Sequence, residues 1–218
     1  MLVLALDTAT PASTAALAEV TADGLTGIAE RRTVDPRAHG EKLAPEIAAV
    51  LADAGVRPAD LGAIVAGTGP GPFTGLRVGL VTAASMAQVL GIAAYGVCSL
   101  DGLGRAAGPG RVLIATDARR KEVYFATYVD GVRESGPEVA KPAEVTGVFD
   151  RVAGEGGLKY ADIFGVPVEE HLLYPPGAAL VALAADRIRD GAPSEPLTPL
   201  YLRRPDAVEP TGRKTVLT

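Results

Sequence analysis

LVLAL at 2–6 is a short, wholly apolar run that stops at Asp7, the pattern of a strand buried on both faces. The polar turn DTATPAS follows. TAALAEV (14–20) and GIAERRTV (27–34) then flank ADG, a hairpin signal, so the three segments predict a three-stranded meander. From His39 the period changes. Leu43, Ile47, Val50, Leu51 and Ala54 recur at helical spacing, Gly55 can supply a left-handed cap, and Pro45 falls near the first turn, where a missing amide is tolerated. AIVAG (63–67) predicts a further strand and GLRVGLVTAASMAQVL (75–90) a helix, with Thr74 as its N-cap and Gly91 as its stop. IAAYGV (92–97) predicts one more strand. The predicted order is βββαβαβ.

The second half repeats part of this pattern. VLIATD (112–117) matches LVLALD (2–7), EVYFATYVDG (122–131) alternates as a hairpin strand does, and a strand signal follows at 132–140. Pro142 with EVTGVF suggests a short helix. VAGEGG (152–157) stands where VAGTGP (65–70) stood, and GAALVALAADRIRD (177–190) predicts the last helix of this half. Three correspondences in one order predict two related lobes, 1–100 and a shortened 101–218 ending in a polar tail, VEPTGRKTVLT. A βββαβαβ lobe present twice, each with an aspartate-ended first strand, resembles the actin-like and sugar-kinase (ribonuclease H-like) superfamily. That resemblance implies an α/β fold with a nucleotide cleft between the lobes.

Composition narrows the picture. The 218 residues, 48% hydrophobic, are enough for a sizeable core, and the net charge of −5 supplies no global basic field for nucleic acid. Cys98 is the only cysteine, so no internal disulfide forms; a buried, inert thiol is expected. No apolar run is expected to approach the ~20 residues that cross a bilayer, and the start lacks a basic leader. The expectation is a cytoplasmic protein with no membrane partner.

The motifs are more specific. DTAT (7–10), HGEKLAP (39–45), GTGPGPFTGLRVGL (67–80), GVCSLDGL (96–103), DARRKEVY (117–124) and PLYLR (199–203) follow one another across nearly the whole chain. In this series the chain resembles the bacterial TsaB (YeaZ) family. The resemblance implies a non-catalytic partner of a TsaD-like enzyme, which transfers threonylcarbamoyl to the adenosine beside the tRNA anticodon. It also implies a TsaE-like ATPase in the same complex, a homodimer when TsaD is absent, and tRNA contact mainly through the complex. The catalytic relative carries two metal histidines where this chain has Ser99 and Leu103; serine is a poor ligand and leucine is none. His39 and His171 are the only histidines and lack metal-protease spacing, and no GxSxG elbow exists, so a metal-dependent peptidase is disfavoured and self-sufficient catalysis is not expected.

The glycine block admits two readings. As a phosphate cradle, the backbone of Gly67, Gly69, Gly71 and Gly75 would meet an anion near a helix start, and Asp7 and Asp117 would hold hydrated magnesium across the cleft. Such an ATPase or phosphotransferase remains the alternative function. Against it, the block has no P-loop lysine, Pro70 and Pro72 remove two amides, and Glu155 would repel a phosphate. Each aspartate can equally cap a turn. The expectation is no cofactor in the isolated chain, with ATP or ADP and magnesium reserved for a shared site in the complex.

In the second reading, the block is a rigid turn that aims the 75–90 helix at a partner. Leu76, Leu80, Ala83, Ala84 and Ala87 make one stripe of that helix, and Val78, Val81, Ser85 and Val89 another. Pattern alone does not say which faces outward. The resemblance implies that the 39–54 and 75–90 helices meet the partner, with His39, Glu41, Leu43, Ala48, Leu76, Arg77, Leu80, Ala83, Ala84 and Ala87 as candidate contacts. Leu80→Glu or Ala84→Glu is then expected to break assembly without unfolding the chain. Arg119, Arg120 and Lys121 form a basic turn, solvated or touching RNA. Tyr201 and Arg203 are expected to pack the tail back across the lobes.

Overall fold

The computed structural model describes residues 1–203. The tail VEPTGRKTVLT, expected to be loosely held, lies outside the described residues. Two sheets organise the chain. The first contains β1 (Leu2–Asp7), β2 (Ala12–Val20), β3 (Leu25–Val34), β4 (Leu61–Gly67) and β5 (Ala93–Val97), in the spatial order β3-β2-β1-β4-β5. β1, β2 and β3 form an antiparallel meander, and β4 and β5 run parallel to β1 and to each other. α1 (His39–Asp53) and α2 (Phe73–Leu90) connect the strands, in the order read from the sequence. The second sheet contains β6 (Arg111–Asp117), β7 (Val123–Val129), β8 (Val132–Ala140) and the short β9 (Arg151–Ala153), in the order β8-β7-β6-β9.

The unbroken apolar character of β1 has a direct cause. Leu4 and Leu6 pack with Leu43, Ile47 and Val50 of α1 and Leu76, Leu80 and Ala83 of α2. The intervening Val3 and Ala5 pack on the opposite side of the sheet, with Leu180, Val181, Ala184 and Ile188. Those four belong to α6 (Gly177–Arg189), so the helix expected to close the second lobe instead covers the back of the first sheet. A strand buried on both faces needs a second helical layer, and the chain returns from the second sheet to provide it. The boundary drawn at 100/101 is therefore crossed by α6.

The segment after α6 crosses back over the first sheet. The Glu195 amide donates to the Ala94 carbonyl and the Leu200 amide to the Thr68 carbonyl, 2.9 and 2.8 Å. Tyr201 then meets α2, while Arg203 reaches the Ala118 carbonyl and pairs with Glu122 in the second lobe. The expected packing of these two residues across the lobes is what the structure contains.

Three differences from the predicted elements have local causes. α2 begins at Phe73 with Pro72 as its N-cap and no side-chain cap, so Thr74 is inside the helix; Gly91 does end it, at φ +66°. EVTGVF forms no α-helix, only a three-residue 3-10 turn at Pro142–Glu144. SLDGLGRAA, read only as a motif, is α3 (Ser99–Ala107). Its glycines lower helix propensity but permit close packing: a Cβ at Gly102 would lie 2.6 Å from Leu180, and one at Gly104 2.2 Å from Tyr128. Two short helices, α4 (Glu155–Lys159) and α5 (Ala161–Phe164), follow β9.

Candidate functional site

The glycine block folds against the DTAT turn. Asp7 ends β1 and is 1% exposed. Its Oδ2 accepts the Ser99 hydroxyl at 2.5 Å and its Oδ1 accepts the Ala9 amide at 3.1 Å. A Cβ at Gly67 would stand 1.8 Å from Asp7 Oδ2, and one at Gly71 2.2 Å from the Ala9 carbonyl oxygen, so both positions require glycine. The Gly69 amide donates to Ser99 Oγ, 3.2 Å, and is committed inside the protein. Thr8 ties the start of α2 to this turn: its hydroxyl donates to the Gly75 carbonyl at 2.7 Å and accepts the Gly79 amide at 2.9 Å. His39 closes the junction, sharing a 2.8 Å hydrogen bond with Ser13 Oγ beside Gly75.

Electrostatics agree with this sealing. Burial pushes the Asp7 carboxyl up to about 6, against the opposing pull of the Ser99 and Ala9 hydrogen bonds. Burial lowers His39 and pushes the Cys98 thiol up to about 11, where a thiolate nucleophile is scarce at neutral pH. The phosphate candidates Asp7, Gly67 and Gly69 are thus brought together, with the Asp7 carboxylate and the Gly69 amide already bonded within the chain. Ser99 is 1% exposed and Leu103 fully buried in the core, the two positions where the catalytic relative would carry histidines.

Asp117 occupies the corresponding end of β6 with different surroundings. It lines a small cleft of about 180 Å³ between the lobes with Thr10, His39, Phe73 and Arg119. Its Oδ1 lies 3.1 Å from Lys159 Nζ, and its amide donates to Glu155 Oε1 at 3.0 Å. Burial raises the Glu155 carboxyl to about 7. Glu155 thus stands beside Asp117, whereas Gly154 packs on the Ala115 backbone.

The partner candidates divide by burial. Leu43, Leu76, Leu80, Ala83 and Ala87 are at most 5% exposed within the single chain and face the first sheet. They are core residues and not the docking contacts expected: their stripe is the one that the sheet covers. His39 is likewise buried. Glu41, Ala48, Arg77 and Ala84 are exposed. Arg77 is engaged within the chain, its Nε donating to Tyr201 Oη at 2.8 Å and its guanidinium lying 3.8 Å from the Phe73 ring centre. That attachment fixes the Arg77 side chain against the start of α2 and the returning segment.

The other stripe of α2 is exposed beyond Val78, which is half-buried against the core. Val81 is 63% and Val89 85% exposed, with Ser85 exposed between them. An apolar groove of about 280 Å³, lined by Pro58, Ser85, Met86, Val89 and Leu90, lies at the end of this face. α2 has the length and composition of a membrane-crossing helix. Its Leu76–Leu80–Ala83–Ala87 side nevertheless packs on a sheet, as in a core helix.

Similarity to known proteins follows the same outline. A family model of TsaD, tRNA N6-adenosine threonylcarbamoyltransferase, matches residues 26–187. An uncharacterized protein of Mycobacterium tuberculosis is 48% identical over 206 residues, 94% of this chain and 93% of that protein. The Escherichia coli tRNA threonylcarbamoyladenosine biosynthesis protein TsaB is 31% identical over 224 residues, covering 93% of this chain and 95% of that one. The chain belongs to the TsaB family. A solved structure of YeaZ from Pseudomonas aeruginosa has a TM-score of 0.76 at 29% identity, covering 92% of this chain and 99% of that one. This TsaB-family chain shares the mixed α/β fold with two sheets. What pattern reading missed in it is the inward use of Thr8 and Ser99 and the outward use of Val81 and Val89. The second valine stripe was visible, but periodicity gives two faces without a direction.

Proposed function

We propose that this chain is a non-catalytic subunit in the biosynthesis of tRNA threonylcarbamoyladenosine, docking onto a TsaD-like transferase through the outer face of α2. The observation that carries the reading is the bare valine stripe: two large apolar side chains stand in water on a helix whose other face is packed. Such a face is stabilised when a partner removes it from solvent, at about 25 cal/mol per Å² of apolar area. Ala48 and Glu41 on the exposed side of α1 extend the surface. The two sheets are read as related, actin-like lobes, one of which presents the docking helices.

Ser99 and Leu103 support the non-catalytic part, because one bonds Asp7 and the other fills the core. Among the described residues no cluster of three His, Cys, Asp or Glu side chains could hold a metal. Use of the same face for a homodimer makes the two assemblies exclusive, and a TsaE-like ATPase joins only the heteromeric one. The phosphotransferase alternative has less support, since Asp7 is sealed. Size-exclusion chromatography with a purified TsaD-like protein tests the reading: a shared earlier peak is expected, and separate elution of two folded proteins contradicts it.

A further inference from the structure

We infer that the returning segment 194–203 is a strap that fixes the angle between the lobes, and that a partner docked on α2 tightens it through Arg77. The inference rests on the reading of α2 as the docking helix and adds what docking does to the second lobe. The strap is held along its whole length. At its start, Arg187 of α6 pairs with Glu195 at 2.6 Å, and the Glu195 amide and the Ser194 hydroxyl both bond the Ala94 backbone on the β5 edge. In its middle, Leu197 packs against the core beneath α2, and the Leu200 amide donates to the Thr68 carbonyl. At its far end, Leu202 packs on the core of the second lobe, and Arg203 bonds the Ala118 carbonyl at 2.9 Å and pairs with Glu122. One short segment therefore grips the first sheet, α2 and the second lobe in turn.

Its grip on α2 lies on the docking face itself. Phe73, Arg77, Val81, Ser85 and Val89 follow one another at i+4 spacing, so they form a single row along the helix, and every member is exposed. Tyr201 of the strap sits on the first two members of that row. Its ring stacks on Phe73 with centres 5.1 Å apart, and its hydroxyl accepts from Arg77 Nε at 2.8 Å. The Arg77 guanidinium lies over the other ring, 3.8 Å from the Phe73 centre. Phe73 and Tyr201 remain 44% and 37% exposed, so the seated strap lengthens the apolar row of Val81 and Val89 by an aromatic end.

The coupling follows from which state of the strap a partner meets. Apart from the strap, the chain joins the lobes where it passes through α3 and where it returns into α6, and motion between lobes so joined is the default. The strap's own contacts are hydrogen bonds and ion pairs near solvent, each of modest strength, so its seated and released states are close in free energy. A partner that covers the row buries Phe73, Tyr201 and the Arg77–Tyr201 bond together only when the strap is seated. It binds that state more tightly and so shifts the balance toward it. By linkage, seating strengthens docking by the same factor that docking strengthens seating.

Electron–electron double resonance on the full chain tests this, with spin labels on Asp23→Cys and Glu138→Cys, one exposed site in each lobe, in a Cys98→Ser background. The free chain should give one narrow distance distribution, and a purified TsaD-like protein should narrow it further. Tyr201→Ala/Arg203→Ala should broaden the free chain's distribution by about twofold and weaken binding of the TsaD-like protein by about tenfold. Tyr201→Phe is the milder variant, since it keeps the ring stack and removes only the bond to Arg77. It should weaken that binding by about threefold at an unchanged unfolding midpoint. A folded double variant with the parental distribution overturns the strap. A broadened distribution with parental affinity, or a Tyr201→Phe chain that binds as the parent does, overturns the coupling and leaves the docking reading intact. Failure of the parent to bind contradicts the docking reading and the coupling with it, while the strap still stands or falls by the two widths of the free chain.

Discussion

The two faces of α2 have the same kinds of residue and opposite fates. On the inner face, Gly75, Leu76, Gly79, Leu80 and Ala83 are buried against the DTAT turn and the first sheet, and Thr8 bonds the helix backbone twice. On the outer face, Val81, Ser85 and Val89 touch solvent, beside an apolar groove. The inner face is closed by glycines, which bring backbone to backbone, and by hydrogen bonds that occupy the groups a phosphate cradle would use. A glycine-rich loop before a helix is thus evidence of close approach, and only the approaching atoms tell whether that approach is to a ligand or to the protein itself.

Substitutions should separate the two faces, beginning with the strongest effect. Leu80→Glu places a charge among Leu4, Leu6 and Leu76; a loss of more than about 4 kcal/mol is expected, read as absence of a cooperative unfolding transition. This reverses the expectation that Leu80→Glu would spare the fold, and leaves Ala84→Glu as the variant of that pair suited to testing assembly. Gly67→Ala sets a methyl group against Asp7 and Ser99 and should cost about 2–4 kcal/mol in urea denaturation.

Asp7 gives a smaller effect with a defined sign. Burial pushes its carboxyl up to about 6 in the folded chain, from 3.8 for a free aspartate, so the folded state binds the proton more tightly. Its contribution is most favourable below pH 4, falls as pH rises from about 4 to 6, and levels off above 6 at a deficit of about 3 kcal/mol. Asp7→Asn should therefore raise stability at pH 8 by up to about that amount and give no gain near pH 4, measured by denaturant midpoints. Loss of ATP binding in this variant would reopen a magnesium-holding role for Asp7. On the bare face, Val81→Glu/Val89→Glu should leave stability unchanged to within about 0.5 kcal/mol per site, since both side chains already stand in water.

Much of this arrangement was legible in the sequence. LVLAL ending on Asp7, the ADG hairpin and the 3.6-residue period from His39 identify the first lobe's elements because each is a local signal. α3 was hidden by Gly102 and Gly104, whose purpose is contact with Leu180 and Tyr128 from distant parts of the chain. The placement of α6 was hidden for a related reason: its apolar stripe shows that it must cover something, and the choice between two sheets is made by the returning chain. The candidate site suffered most from this limit. Leu43, Leu76, Leu80, Ala83 and Ala87 are spaced as any buried helix stripe is, and only the sheet beneath them distinguishes core from docking surface.

The most direct test of the central claim is light scattering coupled to size exclusion on the chain mixed with a purified TsaD-like protein, for the parent and for Val81→Glu/Val89→Glu. The parent should form a complex of the summed mass, and the folded double variant should elute apart from the partner. A double variant that retains the complex at parental affinity would show that the outer face of α2 is not where the partner docks.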